Sequence, residues 1–142
     1  MKQKYNAEEL FQAEIKDAQN KAHRCRTYFA IYGAEYINAI CDALSIGKCD
    51  LQIENHGIRI GYNENYRTDI NEMIRETLAP VIDKTEILSA LAKELSLEYY
   101  LALVPEIASD SDEPNQMLSI DEDIIEFLYL TKTKLDLDYY VY

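Results

Sequence analysis

The side chains of this chain that could do chemistry are mostly carboxylates, and they concentrate in its last third. Asp136 and Asp138 stand two residues apart, so on a strand they would point the same way and could hold Mg²⁺ or act as an acid/base pair. No glycine-rich phosphate loop accompanies them, and the chain has four glycines in all. The acidic run at 110–113 lacks the spacing and central glycine of a calcium loop. We therefore interpret the carboxylates as an acidic binding surface and predict no metal site.

Histidines and cysteines offer no catalytic pattern. His23 and His56 have no serine or cysteine near them in a nucleophile arrangement, so we predict no catalytic residue and no enzyme activity. Cys25, Cys41 and Cys49 form no CxxC pair. A zinc site uses close ligand pairs on turns, whereas Cys41 falls on the apolar face of a predicted helix and Cys25 begins a predicted strand. Buried, reduced thiols in a cytoplasmic protein without a cofactor explain them better.

Negative charge dominates the composition. The 142 residues carry a formal net charge of −12, of which residues 1–26 contribute +2 (six Lys and Arg against four Asp and Glu) and the rest −14. A surface this acidic repels nucleic acid and anionic lipid and attracts basic partners. The chain has no run of 18 apolar residues and no secretory signal, so we predict a cytoplasmic protein that does not contact a membrane. Solubility alone is the simpler alternative explanation of the charge.

The chain begins with a predicted amphipathic helix at residues 6–22. Asn6 is suited to be its N-cap, and Glu9 follows three residues later as in a capping box. The apolar stripe of this helix is thin, so it should pack at the edge of a core. We treat residues 1–24 as an N-terminal helical extension and residues 25–142 as a single α+β domain.

The domain is predicted to alternate strands and helices. Apolar periodicity with Gly and Pro breaks indicates the order β-α-β-β-α-α-β-α-β. We predict a ferredoxin-like split β-α-β fold, with a mainly antiparallel sheet, helices on one face, and an extra C-terminal helix and strand. Strands are predicted at 25–32, 49–54, 58–62, 97–107 and 134–142, and helices at 35–44, 68–78, 84–95 and from Asp121 onward.

Period-two patterns assign faces to the last two strands. The odd-numbered residues of 97–103 and of 135–141 should face the core. Among the chain's twelve tyrosines, a ring on the other side of the sheet would offer a protein partner rigid apolar surface with a polar tip. That second, open face should display tyrosines with acidic neighbours, namely Tyr28, Tyr32, Tyr100, Tyr140 and Tyr142.

Three segments form a recognisable set: Tyr28–Gly33 (YFAIYG), Leu44–Gly47 (LSIG) and Ser119–Tyr142 (SIDEDIIEFLYLTKTKLDLDYYVY). Together they resemble a bacterial family of small proteins, the domain of unknown function 4279. That family tends to show an apolar strand ending in a Tyr-Gly-like turn, a Leu-Gly-Ile-like step, and an alternating Asp-rich terminal strand. The resemblance implies the fold, and it implies no catalytic residue because the family has no settled activity.

These observations predict a non-enzymatic binding or inhibitor protein of a bacterial or phage cytosol, of the immunity or anti-defence type. Its acidic, tyrosine-bearing surface would block the basic site of a protein partner such as a nuclease, a toxin or a nucleic-acid-binding effector. Two alternatives stay open: a structural protein that self-assembles through its terminal strand, and a nucleotide- or small-ligand-binding protein on a ferredoxin-like sheet. The predicted partner-binding residues are Asp110, Asp112, Glu113, Asp121, Glu122, Asp123, Asp136, Asp138 and Tyr140.

Overall fold

Four helices and six strands make up the part of the chain that the structure, a computed structural model, describes: residues 23–33, 35, 37–47, 51–54, 57–66, 69–109 and 119–141. The predicted α+β class and element order are confirmed. The strands are β1 (Arg24–Tyr32), β2 (Leu51–Glu54), β3 (Gly57–Tyr66), β4 (Glu98–Ile107), β5 (Lys134–Leu137) and β6 (Tyr140–Val141). The helices are α1 (Ile37–Leu44), α2 (Ile70–Leu78), α3 (Thr85–Leu95) and α4 (Glu122–Thr131).

The sheet is built around β1. This strand pairs antiparallel with β3 on one side and with β4 on the other, and β2 pairs antiparallel with β3. The order β2-β3-β1-β4 therefore contains only antiparallel neighbours. β5 and β6 add to the outer side of β4 as parallel segments, with Leu137 opposite Leu103 and Tyr140 opposite Glu106. The sheet is thus mainly antiparallel with an added C-terminal edge, as predicted, and the structure shows that this edge is parallel to β4.

A single apolar cluster fills the space between one face of the sheet and the helices. Phe29 of β1 meets Phe127 of α4 edge-on, with ring centroids 6.0 Å apart. Each fully buried side chain of this size stabilises the fold by about 1.5–3 kcal/mol. The core face predicted for β4 is confirmed, since the structure buries Leu97, Tyr99, Leu101 and Leu103.

Local signals set the helix ends. α2 begins after Asp69, whose carboxylate accepts the N–H of Asn71 at 2.9 Å. α3 and α4 end at Ser96 and Lys132, which adopt the left-handed conformation with φ of 55° and 54°. Each of these turns leads within two residues into the next strand, so both helices stay on the core side of the sheet.

A bulge in β3 decides which side chains reach the second face. The β1–β3 register shifts by one residue, so Gly61 and Tyr62 both lie opposite Tyr28. Gly61 has a φ of +66°, a conformation that glycine adopts without steric cost. Because side chains alternate along a strand, the extra residue turns every later β3 side chain to the opposite face. Without the bulge, Tyr62 would point into the core like Ile60.

The predicted core face of the terminal strand is wrong. Leu135 and Leu137 are 43% and 40% exposed, and Tyr139 and Val141 are also exposed. β5 and β6 form the edge of the sheet, whereas α4 packs over its centre, where Phe127 contacts β1. Alternation therefore sets the direction of these side chains, but the helix that would cover them lies elsewhere.

Some predictions concern residues outside the described ranges. These are the helix at 6–22, most of the 1–24 extension, Cys49, His56 and Tyr142. β1 begins at Arg24, one residue before the predicted domain boundary, and His23 is already buried. In the described part of the chain, no helix is long and apolar enough to cross a membrane.

Candidate functional site

The face of the sheet that points away from the helices carries a layer of tyrosine and arginine side chains. The buried residues of all four helices belong to the cluster on the other face. Even-numbered residues of β1, β4 and β5 share this second face, and the bulge adds β3 residues after Gly61. We call it the open face; its long side chains are Arg24, Arg26, Tyr28, Tyr32, Arg59, Tyr62, Glu64, Tyr66, Glu98, Tyr100, Glu106, Lys134, Asp136, Asp138 and Tyr140.

Aromatic and cationic side chains stack along the open face. Tyr28 lies nearly parallel to Tyr62, with ring centroids 6.3 Å apart and 18° between the planes. The Arg59 guanidinium carbon is 4.3 Å from the centroid of the Tyr28 ring, within the range of a cation–π interaction. Tyr32 meets Tyr100 edge-on at 5.2 Å. These contacts restrict the rotamers of the rings, so the rings are already ordered in the isolated chain.

Glu106 holds two arginines at one end of the open face. Its carboxylate lies 2.5 Å from a guanidinium nitrogen of Arg24 and 2.8 Å from one of Arg26. The Glu106 side chain is 11% exposed, whereas those of the arginines are 31% and 34% exposed. Arg24 lies over the Tyr66 ring at 5.8 Å and Arg26 over the Tyr140 ring at 6.0 Å. One nearly buried carboxylate therefore positions two guanidinium groups, each against an exposed ring.

Three tyrosine hydroxyls on the open face donate to a carboxylate two residues away on the same strand or edge. That spacing places both side chains on one face. The hydrogen bond to Asp138 raises the pKa of the Tyr140 phenol, because it favours the protonated hydroxyl beside a negative charge. The pairs are Tyr140 with Asp138 (3.0 Å), Tyr100 with Glu98 (3.1 Å) and Tyr62 with Glu64 (3.3 Å).

The open face is close to charge balance, although the whole chain carries −12. Its arginines and Lys134 face a similar number of carboxylates, and the arginines lie between the rings. The sequence prediction of tyrosines among acidic neighbours missed these arginines. A signal for two of them was available: Arg24 and Arg26 share the even-numbered positions of β1 with Tyr28. Tyrosine and arginine are enriched in protein–protein interfaces, so a surface that carries both with little net charge is typical of such an interface.

The structure separates the predicted binding residues into groups. Asp136, Asp138 and Tyr140 lie together at the β5–β6 side of the open face. Glu122 is exposed in the first turn of α4. The acidic run of Asp110, Asp112 and Glu113 lies outside the described residues.

Asp121 and Asp123 bind Arg75 of α2. Their carboxylate oxygens lie 2.5 Å and 3.0 Å from its guanidinium nitrogens. Hydrogen bonding to Arg75 lowers the pKa of Asp123, because it favours the charged carboxylate. Asn71 adds a second link, since its side chain accepts the Asp121 N–H at 2.9 Å. Within the fold these carboxylates tie α4 to α2, and their contact with a partner stays a prediction.

Cys25 and His23, buried at the start of β1, serve the fold. Burial raises the pKa of the Cys25 thiol to about 11, so the thiol stays protonated and is a poor nucleophile. His23 accepts the Ala108 N–H through Nδ1 at 3.2 Å, which joins the start of β1 to the end of β4. Among the described residues, no group of three or more His, Cys, Asp or Glu is arranged to hold a metal ion.

A cleft of about 450 Å³ lies between α3, α4 and the start of β4. Its lining is mainly apolar and includes Lys93, Lys132 and Lys134. Lys93 lies in the last turn of α3 and Lys132 caps α4, where a cation offsets the negative end of a helix. Because this local role accounts for two of the three lysines, we assign no ligand to the cleft.

Comparison with known proteins identifies a family and no activity. A family model described as "Domain of unknown function (DUF4279)" matches residues 56–142. No curated protein and no solved structure matches the chain. The matched stretch contains every predicted binding residue and all described strands of the sheet except β1 and β2.

Proposed function

The chain belongs to the DUF4279 family, and because that membership assigns no activity, we propose from the geometry that it is a non-enzymatic binding protein whose open face covers a site on a protein partner. The observation that carries the proposal is the layer of tyrosine and arginine side chains held in place on an exposed sheet face. A protein that inhibits its partner by covering the partner's basic site would suit the role of an immunity or anti-defence protein in a bacterial or phage cytosol.

The composition of the open face supports a protein interface. Tyrosine and arginine are enriched among the residues that carry most of the binding energy in such interfaces. Tyr32, Tyr62, Tyr66 and Tyr140 are all exposed there, so their rings are available to a partner. The neighbouring stacks and ion pairs restrict their rotamers in advance, which lowers the entropic cost of association.

The charges of the open face indicate the chemistry of the partner. Asp136 and Asp138 are exposed on its β5–β6 side, and Glu98 is exposed at the start of the neighbouring strand β4. A partner with basic side chains around an apolar centre would match this arrangement, as the site of a nuclease, toxin or nucleic-acid-binding effector would. The overall charge of −12 would speed that encounter at low salt. Nucleic acid fits less well, since the arginines are matched by carboxylates.

Tyr139 and Tyr140 provide a matched pair of variants for the test. Their exposed fractions are 50% and 49%, yet they are neighbours and point to opposite sides of the strand. Tagged wild-type chain would capture partners from a lysate of its source cells at low and high salt, and the retained protein would be purified. We expect Tyr140→Ser to bind it at least about tenfold more weakly and Tyr139→Ser to bind within about twofold of wild type.

Three results would contradict the proposal. Equal affinity of both variants and the wild type would exclude the open face as the interface. Specific capture of a nucleic acid by the open face, instead of a protein, would overturn the class of partner. Weaker binding by Tyr139→Ser alone would move the interface to the other side of the β5–β6 edge.

A further inference from the structure

We propose that β5 is a self-association edge at which two copies of the chain pair antiparallel about a two-fold axis through Leu135. β5 ends the described sheet on its side. The Asp138 N–H donates to the Leu103 carbonyl at 3.0 Å, towards β4. Because backbone groups alternate along a strand, the N–H and C=O of Leu135 and Leu137 point outward. An exposed strand edge of this kind readily pairs with another strand.

The charges around Leu135 select the register of the pairing. In Lys132–Asp138 (KTKLDLD), two lysines precede Leu135 and two aspartates follow it at equal spacing. With Leu135 opposite Leu135 of the second copy, Lys134 faces Asp136, and this pair occurs twice. An axis shifted by one residue would place the two Asp136 carboxylates opposite each other. Opposite charges across a strand pair are favourable and like charges are not.

The same register gives a partner to three of the four outward backbone groups of Leu135 and Leu137, all except the Leu137 carbonyl. Leu135 of each copy would donate its N–H to the Leu135 carbonyl of the other, as in the hydrogen-bonded pairs of an antiparallel ladder. The Leu137 N–H would face the Thr133 carbonyl of the second copy. The Thr133 N–H is already used, since it donates to Leu128 at 2.9 Å. Backbone direction therefore permits this register, and charge pairing selects it over the register shifted by one residue.

Pairing at β5 would also cover apolar side chains that a single chain leaves exposed. Leu135 and Leu137 point to the core side of the sheet but have no helix over them. A two-fold axis normal to the sheet places Leu135 and Leu137 of both copies on the same side, so their apolar side chains meet around the axis.

The pairing has a consequence for the open face. The same axis keeps the open faces of both copies on one side, so the sheets would join into one surface with two sets of tyrosines and arginines. This inference does not depend on the proposed function, because self-association can be measured without any partner.

Sedimentation velocity and light scattering of the full chain test the proposal, over a range of concentrations and at low and high salt. We expect a dimer that weakens as salt rises. Asp136→Lys places lysines opposite each other twice, so it should weaken the dimer at least about tenfold. Adding Lys134→Asp to this variant restores opposite charges and should restore the dimer. Glu94→Lys, a charge reversal of the same size on exposed α3 surface, should leave it unchanged.

Three outcomes would overturn the proposal. A wild-type chain that stays monomeric at the highest concentration has no such edge. A dimer that Asp136→Lys does not weaken is formed elsewhere on the molecule. A dimer that the single variant weakens and the double variant fails to restore does not use the Leu135-centred register. Circular dichroism of each variant shows that its sheet and helices are retained.

Discussion

Gly61→Ala should destabilise the fold strongly, because the bulge in β3 has no room for a side chain. Gly61 has a φ of +66°, which costs a residue with a Cβ about 1–2 kcal/mol. A Cβ placed there would lie 2.8 Å from the Cα and the carbonyl carbon of Thr77 in α2, and closer still to its carbonyl oxygen. The strand and the helix would therefore have to separate at this point.

That separation would also break a small buried hydrogen-bond network. The Thr77 hydroxyl donates to the Gly61 carbonyl at 2.7 Å and lies 2.6 Å from the Thr27 hydroxyl. Leaving one of these groups without a partner costs about 1–3 kcal/mol. Together with the backbone conformation, the loss is about 2–5 kcal/mol, a large part of the 5–15 kcal/mol that stabilises a typical domain.

Urea unfolding followed by circular dichroism would measure the loss, with Gly33→Ala as the matched control. Gly33 also has a positive φ, of +84°, but its nearest contact for an added Cβ is the Ser96 carbonyl oxygen at 3.2 Å. The control therefore reports mainly the backbone conformation, and we expect it to lose about 1–2 kcal/mol. A Gly61→Ala chain no less stable than the Gly33→Ala chain would refute the reasoning about the close approach of α2.

Two further predictions concern charge. Glu106→Gln removes the charge that holds the two β1 arginines and should lower the free energy of unfolding by about 1–2 kcal/mol, after solvent screening of these partly exposed groups. The control Glu98→Gln, at an exposed position on the same strand, should lower it by less than about 0.5 kcal/mol. Urea unfolding midpoints compare the two variants, and equal losses of stability would contradict the role of Glu106. Arg75 lowers the pKa of Asp123, so the pair stabilises the fold above the ordinary carboxyl pKa of about 4, and this is lost as the pH falls through the lowered value. In Asp123→Asn, the free energy of unfolding should therefore fall less steeply than in the wild type as the pH is lowered below about 4. Urea unfolding at a series of pH values measures this slope, and an unchanged slope would argue against the ion pair.

The order of residues along the chain was enough to locate most of its strands and helices. Period-two alternation placed the odd-numbered residues of 97–103 in the core, and helix signals located α2 and α3 on either side of Pro80 to within two residues. The same alternation put four of the five predicted tyrosines on the open face, the fifth, Tyr142, lying outside the described residues. These features follow from the geometry of single strands and helices, which the order of apolar and polar residues encodes directly.

The tertiary structure alone decided what surrounds those residues. The bulge at Gly61 turned Tyr62 and Tyr66 to the open face, and a glycine inside a strand pattern was its only local signal. The position of β5 at the sheet edge left Leu135 and Leu137 exposed despite a core-facing pattern. Alternation depends on neighbours in the chain, whereas register, strand order and helix placement depend on residues tens of positions away, so burial and pairing emerge only when the sheet is assembled.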